Sequence, residues 1–203
     1  MNRKDPFLNN YLYHIYNRGT DKRSIFLSKK DYERFLYNLE NFNKLTPANQ
    51  TSKTFANKIK GTEKPKKENN PIVKIHYYCL MPNHYHLVIE QLADGGISKF
   101  LQKVITGYTM YFNLLHKRSG VLFQGRTKSK LIDTDEYKMW LEMYFALNPL
   151  DLHDHDWKTK GIKNIEASFE FLKGYKWHSD FNYEEIDLEG FLKDLNEGNF
   201  LPF

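Results

Sequence analysis

The stretch Met81-Pro82-Asn83-His84-Tyr85-His86-Leu87-Val88-Ile89 decides the architecture of this chain, because it sets a turn between two β-branched and aromatic runs. Residues 72–80 read as one strand, Met81-Pro82-Asn83 as a tight turn, and residues 84–90 as the strand that returns. In extended backbone alternate residues share a face and rise about 3.3 Å each, so His84 and His86 stand roughly 6 to 7 Å apart at their α-carbons, within reach of one metal ion. Tyr85, Leu87 and Ile89 then point to the opposite, buried side. A spacing of two also arises in any strand carrying two half-exposed histidines, so the surrounding elements must decide between the readings.

Working outward, residues 11–18 followed by Gly19 read as a first strand and turn. Ser28 caps a helix over 29–44, whose Tyr32, Phe35, Leu36, Leu39 and Phe42 form one apolar stripe. Gly95-Gly96 and Ser98 open a helix in which Phe100, Leu101, Val104, Ile105, Tyr108, Phe112 and Leu115 recur at helical spacing until Ser119-Gly120. Residues 123–132 read as a basic loop running into a fourth strand, and Thr134 caps a helix over 135–147 that Asn148-Pro149 terminates. The order β-α-β-β-α-β, then α, predicts an α+β fold of the ferredoxin-like split βαβ type: a four-stranded antiparallel sheet with helices on one face, plus an additional helix. The sheet's other face or centre is then left for a site. Residues 46–70 are polar and lysine-rich, and are expected to form a mobile insertion. Beyond Pro149 the pattern weakens: Ser168 is expected to cap a helix at 169–173, and an acidic helix is expected over 184–196. Residues 1–150 are therefore expected to form one domain, with 151–203 as its acidic extension.

Aromatics make up 16% of the 203 residues and mean hydropathy is −0.69, the composition of a packed protein with a wet surface. No apolar run approaches the roughly 20 residues of a membrane span, and the first residues lack the apolar core of a signal peptide. A cytoplasmic protein without a membrane partner is expected. The single cysteine, Cys79, rules out an intrachain disulfide and a cysteine-based zinc site, and its apolar strand favours a buried, inert thiol. The net charge of +5 conceals polarity: residues 1–132 carry 23 Lys and Arg against 9 Asp and Glu, and residues 133–203 carry 7 against 16. Residues 97–132 hold Lys99, Lys103, Lys117, Arg118, Arg126, Lys128 and Lys130 with no acidic residue, interleaved with aromatics, which favours a nucleic-acid partner.

On the helix over 135–147, Tyr144 and Asn148 lie four residues apart and share a face. The amide oxygen of Asn148 could complete a ligand set with His84 and His86, while Tyr144 presents a phenol to whatever the metal polarises. The plainer reading makes Tyr144 a core aromatic and Asn148 a helix C-cap. Two imidazoles suit zinc, whereas an amide oxygen, water and phosphate oxygens suit magnesium or manganese, so ligand chemistry leaves the ion open.

Taken together, Tyr13-His14-Ile15-Tyr16-Asn17-Arg18-Gly19, Met81-Pro82-Asn83-His84-Tyr85-His86-Leu87, Tyr108-Thr109, Tyr111-Phe112-Asn113, Leu122-Phe123-Gln124-Gly125-Arg126 and Tyr144-Phe145-Ala146-Leu147-Asn148-Pro149 resemble the HUH tyrosine transposases of insertion sequence 200-like elements, most of all their REP-associated branch. The resemblance covers about residues 11–150. It implies a single-strand DNA endonuclease and strand transferase acting on hairpin-bearing mobile or repetitive elements. It also implies that His84 and His86 are metal ligands, Asn148 the third, amide-type ligand, Tyr144 the nucleophile that forms a 5′-phosphotyrosine, and Mg²⁺ or Mn²⁺ the ion. Arg18, Lys117, Arg118, Arg126, Lys128 and Lys130 are the candidate DNA contacts, and single-stranded DNA with hairpins is the expected partner of a monomer or homodimer.

Two other readings stand beside it. One is a DNA-binding protein derived from such an enzyme without turnover. The other is a zinc hydrolase in which His84, His86 and a ligand from His153-Asp154-His155 activate water. Tyr137, seven residues before Tyr144, is the alternative nucleophile. His14 and His76 are expected to make packing or polar contacts, and His116 to lie near a helix C-terminus.

Overall fold

The computed structural model describes residues 6–44 and 70–197. The insertion expected at 46–70 lies, apart from Asn70, outside them. Four strands, β1 (Leu12–Arg18), β2 (Val73–Met81), β3 (His84–Gln91) and β4 (Lys128–Ile132), form one sheet in the order β2-β3-β1-β4. Every neighbouring pair is antiparallel, so β1 and β2 run the same way with β3 inserted between them. This is the split βαβ arrangement expected from the sequence.

Strand alternation divides the hydrophobic residues between two cores. On the first face Tyr13 and Ile15 of β1 and Tyr85, Leu87 and Ile89 of β3 meet helices α1 (Lys29–Asn41) and α2 (Gly96–Leu115) through Phe35, Leu39, Phe100, Val104, Tyr108 and Phe112. On the second face Cys79, Met81, Val88 and Ile132 pack under helix α3 (Asp135–Leu147), the helix that carries Tyr144. This second face is covered rather than open. Behind α3 the tail adds a 3-10 turn (Asn148–Leu152) and helices α4 (Trp157–Lys160), α5 (Ile165–Gly174) and α6 (Leu188–Glu197), which bury Trp157, Leu172 and Phe191 in the same core.

Local chemistry explains where these elements begin and end. The buried carboxylate of Asp31 accepts from the backbone N–H groups of Leu27 and Ser28 and from the Ser28 hydroxyl, which starts α1. The helix stops at Asn41, three residues earlier than the sequence pattern predicts. Helix α3 ends at Leu147 with Asn148 as its C-cap, as expected, and Pro149 then occupies the first turn of a 3-10 segment, where a missing N–H costs nothing. Helix α5 begins at Ile165 with the Asn164 side chain accepting from the Ala167 N–H, so Asn164 and not Ser168 is its cap. Helix α6 begins at Leu188, four residues later than expected.

The tail also closes the sheet's outer edge. The Leu80 N–H donates to Trp177 O, the Ser179 N–H to Tyr78 O, and the Tyr78 N–H to Ser179 Oγ, so residues 177–179 pair with β2 and satisfy groups an edge strand would leave open. Trp177 stacks on Tyr32 of α1 with ring centroids 4.5 Å apart. The tail therefore reaches round the edge to touch both layers.

Helix α2 starts tight against the backbone of Ile72, the residue that leads into β2. Gly95 takes φ +66° at the N-cap, and a β-carbon on Gly96 would lie 2.3 Å from the Ile72 carbonyl oxygen. A Gly96→Ala substitution, which in an open helix would stabilise by about 0.4–1 kcal/mol, is expected here to destabilise by about 1–3 kcal/mol through overpacking against backbone. Urea denaturation checks the sign.

Candidate active site

The register of the sheet puts the titratable side chains of the second face in rows. Cys79, His86 and Tyr16 lie opposite one another across β2, β3 and β1, with Lys128 next on β4; one row over, His14 lies opposite Val88 and Lys130. Arg18 pairs with His84 at the end of β1. The last turn of α3 delivers Tyr144 and Asn148 onto these rows.

Hydrogen bonds fix the ring orientations. Asn83 Nδ2 donates to the Lys22 carbonyl, so its Oδ1, 2.6 Å from His84 Nδ1, is an acceptor; His84 must carry its hydrogen on Nδ1. His84 Nε2 then bears the lone pair, and it lies 3.3 Å from Asn148 Nδ2. The His84 and His86 rings are 5.1 Å apart and nearly perpendicular. His86 Nδ1 is 2.9 Å from His14 Nε2, and His14 Nδ1 is 3.4 Å from the Tyr137 hydroxyl.

Tyr144 meets the edge of His86 at 5.4 Å between ring centroids and stacks on Trp140 at 5.1 Å. Only 4% of it is exposed. The Lys158 ammonium lies 5.6 Å from the centre of the Tyr144 ring and pairs at 2.8 Å with Asp151, whose other oxygen accepts from Trp157 Nε1. Burial is the main cause of every shift here. It pushes the Tyr144 phenol well above the ordinary tyrosine range, and the Asp151 charge adds to the effect. It lowers His84 to about 4, with Asp151 partly opposing, and His14 to about 3, with Lys130 assisting. His86 is held well below its ordinary value by burial and then by the charges of His84 and His14. The Cys79 thiol rises to about 12, inert as expected.

The donor set fits a divalent cation on one specific observation: Asn148 Oδ1 is buried with no hydrogen-bond partner. An orphaned amide oxygen costs about 1–3 kcal/mol; here the amide nitrogen faces His84 Nε2, and turning the amide over would bring the oxygen, a hard ligand suited to such an ion, to that side. Among the described residues no group of three His, Cys, Asp or Glu is arranged to hold a metal, so any centre here needs the amide. His153 and His155 are exposed, His153 stacks on Phe171, and Asp154 pairs with Lys163, so the structure does not bring that trio to the strand histidines.

The basic residues separate into two groups. Arg18, Arg126, Lys128 and Lys130 are exposed, with Lys128 over the Tyr16 ring and Lys130 over the Tyr137 ring on the histidine face. Lys117 and Arg118 follow the C-terminus of α2 in the opposite layer, where the Arg118 guanidinium folds over Phe112, a poor posture for gripping a phosphate. Tyr137 is buried with its hydroxyl turned to His14. His76 pairs with Glu90 and His116 with Asp31. Sequence reasoning passed over His14 as a member of the site and over Asp151 and Lys158 altogether. The even spacing of His14 with Tyr16 was the only signal for the first, and the other two had none.

No family model and no curated protein matches the chain. A solved structure of a REP-associated tyrosine transposase bound to a REP hairpin is similar to it with a TM-score of 0.51, covering 93% of this chain and 96% of that one at 13% identity. The likeness is one of fold: a transposase-like, four-stranded antiparallel sheet with helices. No helix among the described residues is long and apolar enough to cross a membrane.

The buried imidazoles make stability pH-dependent. The unfolded chain takes up protons at these groups near the ordinary histidine value of 6.5, but the folded chain does so only near 4 at His84 and near 3 at His14. Their folded values are lowered, so the unfolded state binds more protons and stability falls as pH drops below about 6.5. Thermal denaturation should show Tm already declining between pH 6.5 and 5, above the ordinary carboxylate range; a flat Tm there contradicts the burial of neutral rings.

Proposed function

We propose that the chain is a metal-dependent single-strand DNA endonuclease and strand transferase of the REP-associated HUH tyrosine transposase type, with Tyr144 as nucleophile. The observation that carries this reading is the meeting of two strand imidazoles, the buried Asn148 amide, whose oxygen has no hydrogen-bond partner, and the Tyr144 ring in one cluster. His84, His86 and Asn148 would hold Mg²⁺ or Mn²⁺. When bound, that ion supplies charge stabilisation at the phosphate oxygens.

The chain's own residues supply the rest. The Tyr144 oxygen attacks phosphorus, its proton leaves to solvent or a nearby base, and the 3′ oxygen departs, leaving a 5′-phosphotyrosine that conserves the bond for rejoining. Burial and Asp151 oppose loss of that proton, and the nearby Lys158 ammonium is itself paired with Asp151. The phenol is covered by Trp140 and by the α4 turn, so substrate access requires α4 to move outward. The exposed Arg18, Arg126, Lys128 and Lys130 border the same face and would track the phosphates of a single strand or hairpin.

Incubation with hairpin-bearing single-stranded DNA and Mn²⁺ should yield a covalent protein–DNA adduct on denaturing gels. Tyr144→Phe should abolish it, and His84→Ala or His86→Ala should slow it by about 100-fold or more. Because attack needs the phenolate of a tyrosine whose pKa is raised, the rate should climb with pH through the neutral and mildly alkaline range. An adduct that persists in Tyr144→Phe overturns the assignment. Binding without an adduct across varied hairpins favours a non-catalytic binder.

The double variant Arg126→Ala/Lys128→Ala should weaken binding evenly across sequences. It should also reduce the salt slope of log K by about 1.4, roughly 0.7 for each single-strand phosphate that a cation no longer neutralises. Fluorescence anisotropy at several salt concentrations measures this.

A further inference from the structure

Behind the candidate ligand His86 lies a chain of buried polar groups to which the proposed reaction gives no part. His14 sits in the centre of the sheet and is wholly buried, and Tyr137 is nearly so. The contacts run His86 Nδ1 to His14 Nε2 at 2.9 Å, then His14 Nδ1 to Tyr137 Oη at 3.4 Å. The Lys130 ammonium lies 4.1 Å from the centre of the Tyr137 ring, and Thr134 fixes the Tyr137 backbone at the start of α3.

A ring nitrogen facing another at 2.9 Å shares one hydrogen with it, and two arrangements satisfy the chain. In one, His14 donates from Nε2 to His86 Nδ1, which obliges His86 to carry its own hydrogen on Nε2. In the other, His86 donates from Nδ1 to His14 Nε2, His14 donates from Nδ1 to the Tyr137 oxygen, and the lone pair of His86 lies on Nε2. Only the second matches His84, whose Nδ1 hydrogen is fixed by Asn83 and whose lone pair is on Nε2. We propose that His14 and Tyr137 are positioning residues that hold His86 in the Nδ1–H tautomer, so that both strand histidines present Nε2 to one divalent cation.

This rests on the metal centre of the preceding section and deepens it. Outer hydrogen-bond partners of a ligating histidine fix its tautomer and raise its basicity, and their loss typically lowers metal affinity about 10- to 100-fold. Phe145 packs against both His14 and His86, so hydrocarbon lines one side of the relay.

The test uses the full chain and two readouts other than turnover. Nitrogen-15 NMR of the histidine side chains in the metal-free wild type should show hydrogen on Nδ1 of both His86 and His14; hydrogen on Nε2 of His86 overturns the inference without any variant. Mn²⁺ titration, followed by the loss of the free-ion electron paramagnetic resonance signal, should show one site that His86→Ala removes. His14→Phe and Tyr137→Phe should weaken that site by about 10- to 100-fold, whereas His14→Gln, whose amide oxygen can still accept from His86, should retain more of it than His14→Phe. Unchanged Mn²⁺ affinity in both phenylalanine variants overturns the positioning role while leaving the metal centre standing. A wild type that binds no Mn²⁺ overturns the metal centre and the relay with it.

Discussion

The register of β3 is the constraint on which the rest of this structure depends. β3 is buried on both faces and lies between β2 and β1, so its alternation must satisfy two chemistries at once: Tyr85, Leu87 and Ile89 against α1 and α2, and His84, His86 and Val88 against α3 and the tail. A slip of one residue would exchange the two sets. Three large apolar side chains would then face a polar cluster, and two imidazoles would enter a hydrocarbon core with no partners. The diagonal contact from His14 on β1 to His86 on β3 exists only in the observed register, because Tyr16 and not His14 stands directly opposite His86. Topology and polar satisfaction thus select the same pairing.

That selection carries an energetic load. Burying polar groups is tolerated when each finds a partner, and around the sheet's second face nearly all do: His84 with Asn83, His86 with His14, His14 with Tyr137, and Asp151 with Trp157 and Lys158. Asn148 Oδ1 is not among them. Its amide nitrogen faces His84 Nε2, so the unmet acceptor belongs to the same side chain that touches the strand histidines. That side chain lies within a helical turn of the Tyr144 phenol.

Much of this arrangement is legible in the sequence because it is periodic. Strand alternation gives the shared face of His84 and His86, helical spacing gives the shared face of Tyr144 and Asn148, and the order of elements gives the sheet. What was illegible lacks a period of its own. The pairing of residues 177–179 with β2 depends on an edge that the tail reaches only after α5, and no alternation in Trp177-His178-Ser179 announces it. His14 could be assigned to a face but not to a partner, since alternation says which side a ring occupies and not which diagonal neighbour it meets. Asn164 and Ser168 are both capping residue types, and only the backbone shows which one the first turn of α5 follows. Asp151 and Lys158 carry no periodic signal, because the 3-10 turn Asn148–Leu152 that folds the chain back to Tyr144 follows α3 without one.

The tail therefore has a double character that its acidic composition hides. Its anchor at the site is Trp157, fully buried and bonded through Nε1 to Asp151, and the same turn sets Lys158 over the Tyr144 ring. The contacts that stabilise α4 are thus the contacts that cover the phenol. An outward movement of α4 would expose Trp157 along with Tyr144, and it would separate Lys158 from Asp151 or carry the pair away together. A short helix of four residues tied mainly by one aromatic side chain is the kind of segment that opens at less than the global unfolding cost. The sheet and α3 that hold the histidines are locked on both faces and have no such freedom. The proposed division of labour follows: a rigid ligand platform in the sheet, and a nucleophile whose availability is set by how often one tryptophan leaves its pocket.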